Sequence, residues 1–560
     1  MTESWDREVD VLVVGTGAAG MTAAIAAADG GQRTLIVEST GKWGGTTALS
    51  GGGLWMPTHP AMAELGLEDS VDKALTYMAA AIGDAGPASS PERRRAFVET
   101  VPEVYRFLER LGVRWAVAKD YPDYYPDRPG GMVGRGIEAE PFDARRLDDR
   151  FATFRGRDSI PAPLKTDDVW LLSRAWSTPS GFVRGARFVF RTLGGLIRGK
   201  RLYGIGGGLT ANLMAILMRQ GVEVLLETPL RELVIDAAGG VTGAVVAGPD
   251  GRTIRIRAAR GVVLAAGGFA RNAEWRQRHH GVAGYSSAAE GDLGEPIRIA
   301  EAIGAQLSLM DDAWWGLSVP MPDGGSQFVL SERSMPFSVI VDSAGDRYMN
   351  ESASYIDVGH AMLERHTSVP AIPSWLIVDA RHRRRYLFNA FMQGTKKLRA
   401  AGTVRSADTI EELAAVLGME PSRLRATVDR FNGFARAGVD SDFGRGRTAY
   451  DNYYGDPRVK PNPNLGPLEK GPFTAVQLVP GDLGTKGGLL TDADARVLDT
   501  GGTPIPGLYA AGNTTASVMG RTYPGPGSTI APAVVFGYRA ARHAAARTGT
   551  ATGGSATDQA

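Results

Sequence analysis

The sequence contains no cysteine among its 560 residues. Disulfides, thiolate metal sites and cysteine nucleophiles are therefore excluded, and the composition fits a reducing compartment. Histidine is also scarce, at seven residues, and no two histidines have the spacing of a zinc-protease motif. We therefore expect no metal site.

Long apolar runs and an excess of one charge are absent as well. No uninterrupted apolar stretch approaches the roughly 20 residues of a membrane-spanning helix, and the amino terminus lacks the pattern of a secretory signal. The 62 basic and 61 acidic residues nearly cancel, whereas nucleic-acid-binding proteins usually carry a clear basic excess. We expect a cytoplasmic protein with no nucleic-acid partner.

Glycine, by contrast, is abundant at 73 residues, and it is clustered rather than periodic. Glycine lets a backbone approach a ligand closely, so clusters spread along the chain predict a large cofactor that is contacted at many points. The clusters lie at 15–20, 44–53, 204–208, 267–268, 484–488, 501–502 and 512–527.

Two kinds of sequence alternate along the chain. Residues 1–310 and 476–560 combine short apolar strands with glycine-rich turns, whereas residues 311–475 carry more aromatics and several separate helical patches. We therefore predict an α/β fold in which a Rossmann-like domain is interrupted by an inserted α+β domain over 311–475. Residues 548–560 are expected to form a disordered tail.

The amino-terminal segment has the pattern of a dinucleotide-binding βαβ unit. A strand-like run leads into Gly15-x-Gly17-x-x-Gly20, an alanine-rich helix follows, and a second strand ends at Glu38. In this fingerprint the first glycine allows a tight turn, the second lets the backbone approach a pyrophosphate, and the third permits close helix–strand packing. Glu38 is placed to accept a hydrogen bond from a ribose.

The same fingerprint serves NAD and FAD, so a second feature must separate them. Residues 43–53 offer hydroxyls and bare amides just after Glu38, as a cofactor with a ribityl chain and a ring system requires, and two late segments (511–513 and 525–530) would complete the cradle. We therefore predict FAD. The predicted contacts are Gly15, Gly17, Ala18, Ala19, Gly20, Glu38, Gly44, Gly45, Thr46, Thr47, Ser50, Gly51, Gly52, Ala266, Gly267, Gly512, Asn513, Ser528, Thr529 and Ile530.

This order of motifs resembles the flavoproteins of the succinate dehydrogenase/fumarate reductase type. The amino-terminal fingerprint, the Gly44-Gly45-Thr46 stretch and the late "GLYAAG" strand at 507–512 match in order across nearly the whole chain. The resemblance implies a flavin whose N5 faces a cleft between the cofactor domain and the inserted domain.

Tyrosines, rather than the arginines and histidines that would hold a dicarboxylate, are conspicuous near the expected cleft. Tyr523-Pro-Gly-Pro-Gly527 is a stiff turn that can direct a hydroxyl and a backbone N–H at one carbonyl oxygen. Such an oxyanion hole would stabilise the enolate that forms when a ketone loses a neighbouring proton. The alternative is a buried tyrosine in a proline-stiffened turn.

Further segments make the resemblance more specific, to the 3-ketosteroid Δ1-dehydrogenase family. They are residues 50–57, the Tyr-Pro-Asp-Tyr run at 121–124, the Asn-Glu-x-x-x-Tyr run at 350–355, and 523–527 followed by Pro532 and 536–538. In this family a 3-ketosteroid loses a C2 proton to a base and a C1 hydride to FAD. Our expectation is therefore an FAD-dependent steroid desaturase of steroid degradation.

The resemblance also assigns roles to individual residues. Tyr523 and the amide of Gly527 would polarise the C3 carbonyl, and Tyr355 would be the base. Tyr124 would hydrogen-bond the base and favour its deprotonated form, with Tyr125 or Tyr121 as alternatives. Other functions stay open: a 3-keto-5α-steroid 4-dehydrogenase, a fumarate-type reductase, or a non-enzymatic dinucleotide-binding module.

One segment departs from the family pattern. Residues 169–222 contain no acid, and 182–198 have the periodicity of a basic amphipathic helix. We expect the segment at 170–203 either to contact a membrane interface at the inner face of the cell membrane, close to a lipid-soluble steroid and a quinone electron acceptor, or to pack on its own domain or an oligomer partner. The apolar face comprises Phe182, Val183, Ala186, Val189, Phe190, Leu193, Leu196 and Ile197, and the opposite face Arg184, Arg187, Arg191 and Arg198.

Overall fold

The computed structural model describes residues 4–158, 162–166, 168, 172, 174, 178–282, 284–392 and 394–547. The predicted tail at 548–560 and part of the segment at 170–203 lie outside these residues. The helices, strands and contacts of the fold are those formed by the described residues.

The apolar run at the amino terminus forms an inner strand of the main sheet, because residues 11–14 are buried and can pack on both faces of a parallel sheet. Its neighbours on both sides run parallel to it, as the predicted βαβ unit requires. In spatial order the strands are Arg496–Leu498, Pro504–Ala510, Thr253–Leu264, Arg7–Val14, Thr34–Val37 and Glu223–Leu225, and Val241–Ala247 with Leu230–Ile235 extend Thr253–Leu264 in antiparallel fashion.

Helices rich in alanine and glycine cover this sheet closely. A Cβ added to Gly537 in the helix Ile530–Ala546 would lie 2.4 Å from the carbonyl oxygen of Ala19, so only glycine permits this contact between the two helices. The helices of this first unit are Ala18–Asp29, Ala61–Glu64, Val71–Ile82, Pro91–Arg110, Pro179–Ile197, Ile205–Gln220, Ala273–His280, Glu295–Glu301 and Ile530–Ala546.

A second sheet of seven strands forms the inserted unit. The long strand Phe473–Thr485 is its centre, and all of its length pairs within this sheet. The boundary predicted at 475 falls inside this strand, so the inserted unit extends to Thr485. The strands are Ser326–Val329, Ala313–Pro320, Phe473–Thr485, Ser374–Val378 and Ser338–Val341 in spatial order, with Tyr285–Ser286 and Val404–Ala407 also paired to Phe473–Thr485.

The remaining helices and the small sheets complete the two units. The helices of the inserted unit are Ser331–Ser334, Tyr355–His366, Ala380–Arg385, Asn389–Met392, Thr395–Ala400, Ile410–Leu417, Pro421–Ala437 and Ala449–Tyr453. The small sheets are Leu54–Trp55, Gly136–Ala139 and Trp115–Val117; Phe142–Asp143 and Leu202–Tyr203; and Leu307–Ser308 and Gly488–Leu489. The 3₁₀ helices are Thr46–Leu49, Pro87–Ser89, Ala144–Thr153, Arg155–Asp158 and Gly512–Thr514.

Candidate active site

A large cavity lies where the carboxyl ends of the parallel strands face the inserted unit. It encloses about 2450 Å³ of non-protein space, including solvent at its mouth. Its walls include the glycine fingerprint, residues from both units, and the tyrosines that the sequence points to. One cavity therefore unites the predicted cofactor site with the predicted substrate site, as the rule for open α/β sheets leads one to expect.

The fingerprint glycines have the geometry that their predicted roles require. Gly15 has φ +107°, and a Cβ there would lie 2.4 Å from the carbonyl oxygen of Ala265. A Cβ at Gly20 would lie 2.0 Å from the carbonyl oxygen of Gly15, so this glycine permits the helix to pack on the strand. Gly17 is open towards the cavity, where the amino-terminal end of the helix Ala18–Asp29 favours an anion such as pyrophosphate.

Glu38 lies directly after the strand Thr34–Val37, and its carboxylate is fixed at the cavity wall. It accepts hydrogen bonds from the hydroxyl of Thr16 (2.6 Å) and the amide of Thr40 (3.0 Å). The Thr16 amide (3.2 Å) and the hydroxyls of Ser39 (3.4 Å) and Thr40 (3.0 Å) donate to it as well. Since a carboxylate has about four lone-pair sites, a ribose hydroxyl would have to replace one of these donors.

Most of the predicted cofactor contacts line this cavity, and three do not. Gly20 lies behind the wall for the packing reason above. Gly44 donates its N–H to the Thr16 hydroxyl (3.0 Å), and the Ser528 hydroxyl bonds the backbone of Gly525, so both support the wall from behind. The predicted residues that line the cavity are Gly15, Gly17, Ala18, Ala19, Glu38, Gly45, Thr46, Thr47, Ser50, Gly51, Gly52, Ala266, Gly267, Gly512, Asn513, Thr529 and Ile530.

Asp292 is a lining residue that the sequence reasoning missed. Both of its carboxylate oxygens are buried and have no hydrogen-bond partner among the described residues. A Cβ at Gly267 would lie 2.4 Å from one of them, and burial together with nearby Asp482 raises the pKa of Asp292 to about 7. A buried acceptor without a partner fits the hydroxyls of FAD. The acid in the Glu-Gly-Asp-Leu-Gly run at 290–294 was the available signal.

Three predicted catalytic tyrosines meet in the same cavity. The ring centroids of Tyr355 and Tyr523 are 4.7 Å apart, those of Tyr124 and Tyr523 are 5.3 Å apart, and those of Tyr124 and Tyr355 are 5.6 Å apart. Gly527 lines the cavity beside them. The fold thus assembles residues that lie about 400 positions apart in the chain, from Tyr124 to Tyr523.

The turn from Tyr523 to Gly527, predicted to form an oxyanion hole, lines the cavity. Gly527 has φ +94°, and a Cβ there would lie 2.2 Å from the carbonyl oxygen of Gly53, so no other residue fits. Burial raises the pKa of Tyr523, and interactions of its hydroxyl with Thr529, Tyr355 and the Gly527 amide oppose this rise. The hydroxyl of Tyr523 and the amide of Gly527 therefore lie next to each other at the wall of the cavity.

Tyr355 is the first residue of the helix Tyr355–His366, where the helix dipole favours a negative phenolate. Burial raises the pKa of Tyr355 well above its ordinary value, with further contributions from Tyr124 and Tyr523. A base at this position is therefore protonated at neutral pH unless its surroundings in the working enzyme lower that pKa.

The hydrogen-bond partner of Tyr124 differs from the expected one. Its hydroxyl pairs with that of Tyr121 at 3.2 Å, while its ring lies edge-on to Tyr355, and the structure gives no hydrogen bond between Tyr124 and Tyr355. The expected hydrogen bond to the base is therefore not formed in this structure, where the Tyr124 hydroxyl has Tyr121 as its partner. Tyr121 also bonds the hydroxyl of Tyr454. The other alternative, Tyr125, is not a lining residue, since its hydroxyl donates to Asp357 (3.0 Å).

Buried charges hold the Tyr124 loop in place. The carbonyl of Pro524 accepts both the Tyr77 hydroxyl (2.5 Å) and the amide of Tyr124 (2.9 Å), which ties the loop to the Tyr523 turn. Asp123, next to Tyr124, forms a buried ion pair with Arg135 (2.7 Å). These contacts fix the relative positions of two of the cavity's tyrosines.

Comparison with known proteins gives a consistent picture. The family described as "FAD binding domain" matches residues 10–530. The 3-oxosteroid 1-dehydrogenase of Mycolicibacterium smegmatis is 43% identical over 560 residues, which cover 96% of this chain and 98% of that protein. The 4-oxocyclohexanecarboxylate 2-dehydrogenase of Sinomonas cyclohexanicum is 36% identical, with 95% of this chain and 92% of that protein covered.

A solved structure is similar over the same extent. The crystal structure of the 3-ketosteroid Δ1-dehydrogenase from Sterolibacterium denitrificans, in complex with 1,4-androstadiene-3,17-dione, has a TM-score of 0.90 and 37% sequence identity. The match covers 96% of this chain and 100% of that chain. The predicted combination of a Rossmann-like fold with an inserted unit is therefore confirmed.

Proposed function

This chain belongs to the family of FAD-binding flavoproteins that includes the 3-oxosteroid 1-dehydrogenases, and we propose that it introduces the C1–C2 double bond into 3-ketosteroids in steroid degradation. The observation that carries the proposal is the convergence of Tyr523, Gly527 and Tyr355 in the cavity that also holds the cofactor fingerprint. The unpartnered carboxylate of Asp292 and the open backbone at Gly17 fit FAD in this cavity.

The residues supply both halves of an enolising proton transfer. The Tyr523 hydroxyl and the Gly527 amide donate to the C3 carbonyl oxygen and stabilise the negative charge that develops there. Tyr355 removes the proton from C2, with the dipole of its own helix favouring the phenolate. Bound FAD supplies the oxidant that accepts the hydrogen of C1 as hydride. The C1–C2 double bond then forms as the carbonyl is restored.

Tyr124 contributes through its packing and its link to other phenols. Its ring lies against both Tyr355 and Tyr523, and its hydroxyl joins Tyr121 and, through it, Tyr454. Because no hydrogen bond joins Tyr124 to Tyr355, Tyr124 acts on the base through the packing of its ring. Tyrosine-lined walls also suit a flat uncharged ketone better than a dicarboxylate, which would require cationic partners.

Product analysis tests the function directly. The FAD-loaded protein is incubated with 4-androstene-3,17-dione and an artificial electron acceptor, and the product is identified by mass and ultraviolet spectra. A 1,4-dien-3-one is expected. Oxidation of 4-oxocyclohexanecarboxylate alone would indicate a smaller cyclic ketone as substrate, and reduction of fumarate would overturn the proposal.

We further propose that the helix Pro179–Ile197 docks the enzyme on a lipid surface. Its apolar face points outward: Phe182 is 61% exposed, Phe190 73% and Ile197 86%. Two arginines of its basic face turn inward, where Arg184 (2.9 Å) and Arg191 pair with buried Asp168, whereas Arg187 and Arg198 are exposed. The predicted alternative in which the apolar face packs on its own domain therefore does not apply to the described residues.

The composition of this helix fits a lipid surface. Exposed apolar residues followed by a basic end, Arg198 to Arg201, are the composition of interfacial helices. No helix among the described residues is long and apolar enough to cross a membrane, so the contact would be peripheral. This arrangement would place the enzyme at the inner face of the cell membrane, with access to a dissolved steroid and to a quinone as electron acceptor.

Vesicle sedimentation tests the docking. The wild type and the triple variant F182S/F190S/I197S are mixed with vesicles of 70% phosphatidylcholine and 30% phosphatidylglycerol. The wild type should sediment with the vesicles and the variant should not, with equal activity in solution. If the wild type stays in the supernatant and light scattering shows a dimer that the variant lacks, the helix is a subunit interface instead.

A further inference from the structure

Lys486 is a fully buried cation at the junction of the two units. It follows the strand Phe473–Thr485 of the inserted sheet directly. Its Nζ donates to the carbonyl oxygens of Gly520 (2.7 Å) and Thr522 (2.6 Å), which belong to the first unit. The side chain therefore forms hydrogen bonds to the first and the last of the three residues that precede Tyr523.

A third contact of Lys486 leads to the same tyrosine. Its Nζ lies 4.1 Å from the ring centroid of Trp314, and the Trp314 ring packs edge-on to Tyr523 at 5.2 Å. The Trp314 indole N–H also donates to Asn513, which lines the cofactor part of the cavity (3.1 Å). These contacts connect the Lys486 ammonium to residues 520–522, which precede Tyr523, and to Trp314, whose ring packs on Tyr523.

Packing alone does not account for a lysine here. A methionine would fill nearly the same volume without the free energy that burial of an ammonium costs. The base Tyr355 lies in the inserted unit, in a helix packed on the strand Ala313–Pro320, whereas Tyr523 lies in the first unit. Proton abstraction and carbonyl polarisation therefore depend on alignment across the junction that Lys486 spans.

We propose that Lys486 is a positioning residue that aligns Tyr523 with Tyr355 by holding the Gly520 and Thr522 carbonyls. The role rests on the proposed desaturase function. It requires donors rather than a charge, because a neutral amine keeps two N–H groups for two carbonyls. The charge state of Lys486 is in question because burial lowers its pKa to about 7. Nearby Asp312 and Asp357 raise this pKa, whereas Arg521 lowers it.

The test compares FAD-loaded Lys486→Met and Lys486→Gln with the wild type. Arg521→Gln is the matched control, because it removes a cation from the same segment but one that pairs with exposed Asp311 (2.8 Å). Since Tyr523 would be displaced and not lost, Lys486→Met should lower kcat by about 10- to 100-fold, less than the roughly 10²–10³-fold effect of removing an oxyanion-hole donor. KM and bound FAD should change little, Lys486→Gln should recover part of the activity, and the control should equal wild type.

Three readouts separate positioning from a merely structural role. Amide hydrogen exchange at 520–523 should quicken in Lys486→Met, and the infrared C3 carbonyl band of bound 1,4-androstadiene-3,17-dione should move towards its position in free steroid. The loss in kcat should be equal at pH 6.5 and 8.5. A loss that disappears at pH 8.5 would show that charge acts, and unchanged exchange and carbonyl band would overturn the proposal.

The readouts also separate this proposal from the function on which it rests. If the wild type does not desaturate any 3-ketosteroid, the proposed function fails, while exchange at 520–523 still measures the grip of Lys486 on the segment. If Lys486→Met does not fold, Lys486→Gln is measured in the same way, and an unchanged kcat, exchange rate and carbonyl band in that variant count against the proposal.

Discussion

Replacing Tyr523 by phenylalanine removes one of two donors to the substrate carbonyl and little else. The ring contacts with Tyr355 and Tyr124, at 4.7 and 5.3 Å between centroids, are available to phenylalanine as well. In the free protein the variant gives up the interactions of the Tyr523 hydroxyl with Thr529 (3.3 Å), Tyr355 and the Gly527 amide, all of which line the same cavity. The fold and the bound FAD should therefore persist.

The expected loss follows from the number of donors. With the Gly527 amide left as the only donor, transition-state stabilisation should fall by about 2.7–4 kcal/mol, which corresponds to a decrease in kcat of roughly 10²–10³-fold. Binding of the neutral ketone should weaken much less, since the hydroxyl interacts most strongly with the developing enolate.

Stopped-flow measurement of flavin bleaching under anaerobic conditions reports this step without the electron acceptor. Tyr509→Phe is the matched control, because Tyr509 is equally buried and loses one hydrogen bond, to His543 (2.9 Å), far from the cavity. Bleaching should be slow in Tyr523→Phe and normal in the control. Bleaching of Tyr523→Phe within about threefold of wild type would refute the oxyanion hole.

Four other outcomes are expected from the structure. Tyr355→Phe should bind FAD normally but show no turnover by product analysis; residual desaturation above 1% of wild type, a threshold of about 3 kcal/mol, would remove Tyr355 as the base. Burial raises the pKa of Tyr355, and the base acts deprotonated, so kcat/KM should rise from pH 6 to 9; a flat profile contradicts this. Asp292→Ala should weaken FAD binding, measured by reconstitution of the apoprotein; unchanged affinity would exclude the contact. Arg135→Met leaves Asp123 and Asp69 buried without their cation and should lower stability by about 3–5 kcal/mol, measured by denaturant unfolding, whereas a loss under 1 kcal/mol would show that the pair is replaceable.

The cofactor half of the site could be predicted from the sequence because its information is local. Gly15, Gly17, Gly20 and Glu38 lie within a single βαβ unit, and each role depends on backbone conformation or close approach within that unit. Asp292 was not predicted because it reaches the cavity only through the fold, more than 250 residues after Glu38 in the chain. No periodicity or spacing relates it to the fingerprint.

The tyrosines show the limit of a motif. The resemblance picked out Tyr124, Tyr355 and Tyr523, and the fold brings them together, but the partner of Tyr124 is Tyr121 rather than Tyr355. Which hydroxyl Tyr124 reaches depends on how its ring packs against distant segments that carry Tyr355, Tyr450 and Tyr523. A sequence pattern carries residue types and not the angle between two rings.

The sequence by itself determined the fold class and the cofactor, and it predicted an oxyanion hole at Tyr523–Gly527, since backbone constraints at glycine and proline are local. Only the tertiary structure decided that the apolar face of the helix Pro179–Ile197 points outward, because buried Asp168 holds Arg184 and Arg191 on the other side of the helix. It also decided that Lys486 reaches across to the Tyr523 segment. Both outcomes depend on which distant groups share a low-dielectric interior, where an unpaired charge is costly and a partner is therefore required.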